Sequence, residues 1–141
     1  YVSPLLGLRL ALDEDNVQNG LELLSWTRAD LLAIARNLPA DLLDREVPGQ
    51  RWSIRGILGH IAGAEWWYLD RLGLGGERSE LPEEVFERLA FVRARMVTVL
   101  PGLVGVKQVV GLRGEFWSPR KVLRRALWHE MDHIGHIAHL I

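Results

Sequence analysis

Apolar residues recur along this chain in four runs, at the spacing of helices rather than strands. In the first, starting near Asp13, Val17, Leu21, Leu24, Leu31, Ala35 and Leu38 fall three, four or seven apart until Pro39 stops the run. The second opens on Ser53, a good helix cap, and runs to about Leu72. Its inner stripe holds Ile57, Ile61, Ala64 and either Trp67 or Tyr68. The third opens at Pro82, whose fixed φ suits a first helical position, with Glu83 and Glu84 complementing the helix dipole. Val85, Leu89, Val92, Met96 and Val99 form its seam, Pro101-Gly102 ends it, and it reads as structural. The fourth takes Ser118 as cap and Pro119 as first residue. Val122, Leu123, Ala126, Leu127, Ile134, Ile137, Leu140 and Ile141 make its stripe, with Arg120, Lys121, Arg124 and Arg125 on a solvated outside.

Punctuation separates these runs. Residues 39–52 form a linker with two prolines and Gly49, and residues 73–81 form a loop by their glycines. Within 103–117 the run VKQVVGL could pair as a strand, but no second run offers it a partner. Residues 1–12 have no clean period and read as a lead-in segment, a short strand at most; residues 13–141 read as one domain. Four amphipathic helices of about 20 residues without strand alternation predict an all-α four-helix bundle.

Composition narrows the chemistry. A chain of 141 residues, 48% hydrophobic and 25% charged, has the profile of an ordinary globular protein with one core. A net charge of −1 gives no reason to expect nucleic acid or an anionic membrane as partner. The absence of cysteine removes disulfides, thiolate catalysis and cysteine-ligated zinc, so any metal must be held by histidine and carboxylate. No apolar run approaches the roughly 18 residues of a membrane span and no signal peptide is visible, which makes the cytoplasm the expected location. A chain that opens on Tyr1 and stops within a helical pattern reads as part of something longer.

The candidate chemistry lies in the last run. Four of the five histidines fall there: His129, His133, His136 and His139. At about 100° per residue the first three lie within roughly 60° of one another, whereas His139 points about 80° away from His129. Paired imidazoles at i, i+4 on an inward face suit zinc, nickel or iron. His60 lies on the inner stripe of the second helix. In an up-down bundle the second and fourth helices run parallel, and a stagger of about one turn would bring His60 to His129 and His133. Three nitrogen ligands would leave one coordination position open, as in catalytic rather than structural sites.

Two further residues are candidates for roles at the site. Glu130, near the centre of the apolar arc, could orient an imidazole or another buried donor, or act as fourth ligand or general base. Arg28, in the middle of the first stripe, either packs its stem while its guanidinium snorkels to solvent or meets a carboxylate, or is an anion-binding group facing the interior. HEMDH (129–133) also matches HExxH, and residues 129–139 nearly match the longer HExxHxxGxxH protease pattern. That pattern needs a glycine where His136 stands, a preceding sheet and a following Met-turn, so a protease is disfavoured.

Two segments resemble a known family. RWSIRGILGHIAGAEWWY (51–68) is similar to the second-helix signature of the DinB/YfiT-like superfamily, a Trp-Ser start followed seven residues later by histidine. HEMDHIGH (129–136) resembles its fourth-helix signature, HExxHxGQ, and the likeness extends over nearly the whole chain from about residue 13. The resemblance implies a four-helix bundle whose metal ligands, by match, are His60, His129 and His133. It also implies zinc or nickel, and an enzyme of transferase or isomerase type that uses a low-molecular-weight thiol such as bacillithiol or mycothiol. His136 departs from the family's glutamine and is expected beside the metal without binding it. The expected partner is a small-molecule substrate, and a homodimer is the assembly to test. The rival class is a non-catalytic metallo-bundle or interaction module, in which a closed site mainly adds stability.

Overall fold

The computed structural model describes residues 10–141. Most of the lead-in segment therefore lies outside the described residues; its last residue, Leu12, makes one parallel bridge to Val104. The elements in order are α1 (Glu14–Ala35), α2 (Ala40–Leu43), α3 (Ile54–Arg71), α4 (Val85–Val99), β1 (Val110–Leu112), β2 (Glu115–Trp117) and α5 (Pro119–Leu140). Short 3-10 turns occupy Arg78–Glu80 and Leu100–Leu103. The fold is all-α; α1, α3, α4 and α5 are the four long helices of the expected bundle, and α2 is a single turn inside the first linker.

Local chemistry explains most of the boundaries. Asp13 accepts from the Asn16 amide at 2.6 Å while Asn16 Oδ1 accepts from the Asp13 amide at 3.0 Å, a reciprocal cap on α1. The hydroxyls of Ser53 and Ser118 accept from Gly56 and Lys121 at 3.1 and 3.2 Å, as their cap positions predict. The third long helix begins three residues later than Pro82 suggests. There Glu84 is the cap, accepting from the Glu87 amide at 2.7 Å, and Arg88 takes the Pro82 and Glu83 carbonyls from outside the helix.

The strand in 103–117 is shorter than VKQVVGL and does find a partner. Val110 faces Trp117 and Leu112 faces Glu115 across a two-residue turn, Arg113-Gly114, with φ of 50° and 81°. Such left-handed pairs match the twist of a hairpin, and glycine adopts them freely. The basic face of α5 is also less solvated than expected. Lys121 is buried, donating to Glu115 and the Phe116 carbonyl at 2.8 Å each, with its ammonium 4.4 Å from the Trp117 ring centre. Arg120 reaches the carbonyls of Leu10 and Ala11, whereas Arg124 stays exposed.

The direction of the helices differs from the up-down order. Position 59 lies against Val85, Trp66 packs on Phe91, and the Leu74 carbonyl accepts from Arg95, so α3 and α4 advance together. Tyr68 lies beside Trp117, His60 beside His129, and Gln50 beside His136, so α5 runs against α3. Gly20 meets Leu123 and Thr27 meets Glu130, which makes α1 parallel to α5. The order is up-down-down-up. It requires a long return between α3 and α4. The 18 residues of α3 span about 27 Å, and residues 72–84 can reach about 43 Å, enough to come back along it.

Two apolar clusters fill the interior. One joins Leu31, Ile57, Ile61, Leu89, Ile137 and their neighbours; the other joins Leu24, Leu69, Met96, Trp117, Val122 and theirs. Between them lies a layer of charge to which all four long helices contribute. Arg93 of α4 donates to Glu65 of α3 (3.0 Å) and to Glu130 of α5 (3.0 and 3.1 Å). Arg28 of α1 donates to Glu130 at 2.9 Å, and Thr27 donates to the same carboxylate at 2.6 Å. Arg28 and Arg93 also make crossed bonds to backbone, to Leu89 O at 2.9 Å and Leu24 O at 2.7 Å. Glu130 and Glu65 are 1% and 3% exposed, and no buried side-chain polar atom among the described residues lacks a partner.

Two arginines and two glutamates cancel in charge, so the layer holds as long as it is complete. Removing one member strands a buried charge at a cost of about 3–5 kcal/mol. Glu130→Leu is expected to lower the free energy of unfolding by that amount in urea titrations followed by circular dichroism. A loss under about 1 kcal/mol, the scale of an exposed pair, would contradict a buried layer.

Candidate metal centre

His60, His129 and His133 come together as their spacing suggested, but not by the expected route. His60 stands seven residues after the cap of α3, and His133 seven residues before Leu140, the last residue of α5. Because the two helices are antiparallel, both lie about 10 Å from the same end of the bundle, and no stagger is needed. Nε2 of His60 is 3.0 Å from Nε2 of His129, and one ring nitrogen from each of the three lies within 4.8 Å of the others. The His60 ring meets those of His129 and His133 edge-on, with centroids 4.7 and 5.1 Å away.

The histidines stand at the edge of the buried face rather than on it. All three are half-buried, and the fully buried position of that turn of α5 belongs to Glu130. Two groups fix the outer rings. Trp52 stacks on His60 at 4.4 Å between centroids, with the Arg51 guanidinium 4.7 Å from the centre of the Trp52 ring. His136 lies 3.4 Å from His133, Nδ1 to Nδ1, and 2.9 Å from Gln50 Oε1 on its other nitrogen. It is thus beside the trio without joining it, and exposed His139 is apart from it.

Electrostatics favour neutral rings. Burial, then the neighbouring His133 and His60 rings, push His129 down to about 4. Burial and Arg51 lower His60; burial, His60 and His136 lower His133. Metals take imidazole in its neutral form, so the donor set fits a borderline transition ion. Without an ion, two nitrogens at 3.0 Å are compatible only if one ring donates a proton to the other.

Glu130 and Arg28 do not face this centre. Burial works against the charge of Glu130, but Arg93 and Arg28 hold its carboxyl below the usual carboxylate range. Its partners are Thr27, Arg28 and Arg93, so it orients other buried donors and no imidazole. Arg28 meets a carboxylate, the plainer of its two readings. The HExxH protease reading loses its general base by the same geometry, because that glutamate must sit beside the metal.

The trio opens onto a groove of ≈ 550 Å³ lined by Trp52, Trp67, Tyr68, Trp117 and the exposed edges of His60 and His129. Trp66 is core, 2% exposed, whereas Trp67 (38% exposed) and Tyr68 form part of the wall. Gly59 and Gly63 lie along the groove; a Cβ on Gly63 would meet nothing within 4 Å. Arg78, Arg125 and Glu115 sit on its sides, Arg125 donating to Glu115 at 3.1 Å. Burial pushes the Tyr68 phenol up, which keeps its hydroxyl protonated near neutral pH.

Sequence reasoning missed Glu65, Arg93 and Gln50. The signal for the first two was present: Glu65 interrupts IAGAEWWYL and Arg93 follows Val92 on an otherwise apolar seam. Gln50 carried none, since its partner comes from the far end of the chain.

The sign of the histidine shifts gives a test on metal-free protein. In the unfolded chain an imidazole titrates near 6.5, and His129 in the fold at about 4, so between these values the unfolded state binds more protons. Stability from this group is present above about pH 6.5 and lost as pH falls toward 4. The Glu130 contribution, from a lowered carboxyl, disappears only below about pH 4.3. Melting temperatures should therefore fall between about pH 7 and 4.5, and less steeply in His129→Gln. A flat profile in both proteins would contradict the depressed ring.

Among the described residues no helix is long and apolar enough to cross a membrane. No curated protein and no solved structure matches the chain. The sequence pattern of the DinB superfamily, by contrast, matches residues 23–137, a span that takes in α3, α4, the trio and the charged layer. The chain belongs to the DinB superfamily.

Proposed function

We propose that His60, His129 and His133 bind one divalent transition metal, zinc or nickel. On this reading the protein is a metal-dependent enzyme, a transferase that works on a low-molecular-weight thiol and a second small molecule. One observation carries it: three neutral imidazoles converge at the rim of an open groove, and no carboxylate joins them among the described residues. A bound divalent ion supplies Lewis acidity there and favours a thiol in its thiolate form.

The chain's own residues supply position and exclusion. Trp52 stacked on His60, and Gln50 acting through His136 on His133, hold two of the rings from outside. Trp67, Tyr68 and Trp117 keep water from one wall, while the glycines at 59 and 63 leave room for substrate. The Tyr68 hydroxyl keeps its proton and can donate to a bound group. Glu130 and Arg28 have no chemical role in this scheme. Acting on a cytoplasmic small molecule, alone or as a homodimer, fits the modest charge and the size of the groove.

The ligand set is tested by metal analysis of protein purified without a histidine tag. His60→Ala, His129→Ala and His133→Ala should each fall well below one ion per chain, whereas His136→Gln should keep it. Full occupancy in the triple alanine variant would overturn the assignment, and metal loss in His136→Gln would promote that residue to ligand.

Cobalt-substituted protein tests the chemistry. Titration with bacillithiol, mycothiol or glutathione is expected to add a sulfur-to-metal charge-transfer band in the near ultraviolet with one of them. Gly63→Leu, which projects a side chain into the groove, should keep the cobalt and lose that band. No band with any thiol would favour the metallo-bundle without catalysis.

A further inference from the structure

The apolar core does not by itself fix how α3 and α5 slide past one another. Rows of Leu, Ile and Val side chains pack in grooves at several registers of similar burial. The trio needs more than that, because His60 comes from α3 and its two partners from α5. A slip of one helical turn, about 5.4 Å, would separate them altogether.

The charged layer supplies a directional tie between those two helices. Glu65 lies five residues after His60 on α3, and Glu130 one residue after His129 on α5. Arg93 grips both: Nε and Nη2 reach the Glu65 carboxylate at 3.1 and 3.0 Å, and Nη2 reaches both oxygens of Glu130. Its Nη1 is held by Leu24 O, so the guanidinium cannot swing to follow a displaced carboxylate. A planar fork with fixed donors specifies geometry as well as energy. Any slip that moved His60 from His129 would also break these bonds and leave charges unpaired in the interior, where the cost is highest.

We infer that Glu65, Arg93 and Glu130 are positioning residues that set the distance between His60 and the His129–His133 pair. The inference rests on the metal reading of the trio and adds residues that touch neither metal nor substrate. It separates two roles that a buried ion pair can have. A pair kept for stability is replaceable by apolar side chains of similar volume, often without loss, whereas a pair kept for register is not.

The full chain, stripped of metal, is titrated with cobalt against a competing chelator, and the affinity and the visible ligand-field spectrum are recorded. The informative variant is Arg93→Met with Glu65→Leu. It removes one charge of each sign and leaves Arg28 paired with Glu130, so no buried charge is stranded. Its helicity and unfolding midpoint should stay near those of the unmodified protein. Its cobalt affinity should drop by about 10- to 100-fold, the usual effect of losing support around a ligand, and its spectrum should change. A folded double variant with unaltered affinity and spectrum overturns the inference.

If the double variant fails to fold, Arg93→Lys decides. It keeps the charge but lacks the fork, so it should fold and bind cobalt more weakly; unchanged binding overturns the inference. Failure of the unmodified protein to bind cobalt overturns the metal reading instead.

Discussion

A buried layer of two arginines and two glutamates is the constraint on which this bundle depends. It sits where an apolar layer would be the simpler choice, between clusters centred on Ile61 and on Leu69. Charge in such a place is tolerable only when every donor and acceptor is matched, and here each of the four long helices brings a side chain or carbonyl to the match. That requirement acts on the whole fold. Helices that must deliver Arg28, Glu65, Arg93 and Glu130 to one level have little freedom in rotation or in height.

The up-down-down-up order belongs to the same constraint. With α1 parallel to α5 and antiparallel to α4, Thr27 and Arg28 arrive beside Glu130 while Arg28 and Arg93 exchange bonds with the backbone of each other's helix. Had α4 simply turned back from α3, the short loop would have inverted its direction, and Val85 rather than Met96 would lie at the Trp117 end. The long return through residues 72–84 avoids this. It leaves α5 antiparallel to α3, the arrangement that places His60 and His133 at equal depth.

The sequence made the helices and the ligand candidates legible because both are local patterns. Ser53, Ser118-Pro119 and Asp13 act within one turn of their own position, and imidazoles three or four residues apart share a face wherever a helix forms. Direction was not legible. Loop length bounds a connection without choosing it, so the reading took the simpler up-down order and needed a stagger that the molecule does not use. Arg28 pairs with Glu130, 102 residues away, a partner that its own neighbours in the sequence do not reveal. Arg93 stands beside a seam that reads as structural, and its partners Glu65 and Glu130 lie 28 and 37 residues away. The hairpin was missed because β2 is only Glu115–Trp117, too short for alternation to show.

The site's position at the rim, rather than in the centre, follows from what occupies the centre. On α5, Glu130 points into the bundle and its neighbours His129 and His133 are turned to one side by the helical pitch. Were the histidines central, their rings would be cut off from solvent and from any incoming ligand, and the arginines would stand among them as like charges opposing a cation. At the rim they are buried enough to stay neutral and open enough to exchange. The Arg51 guanidinium lies against the Trp52 ring that stacks on His60, and after burial its charge is what lowers His60. One helix thus divides its labour around its circumference, with the Glu130 carboxylate inward tying the four helices together and the imidazoles sideward, at the rim of the groove.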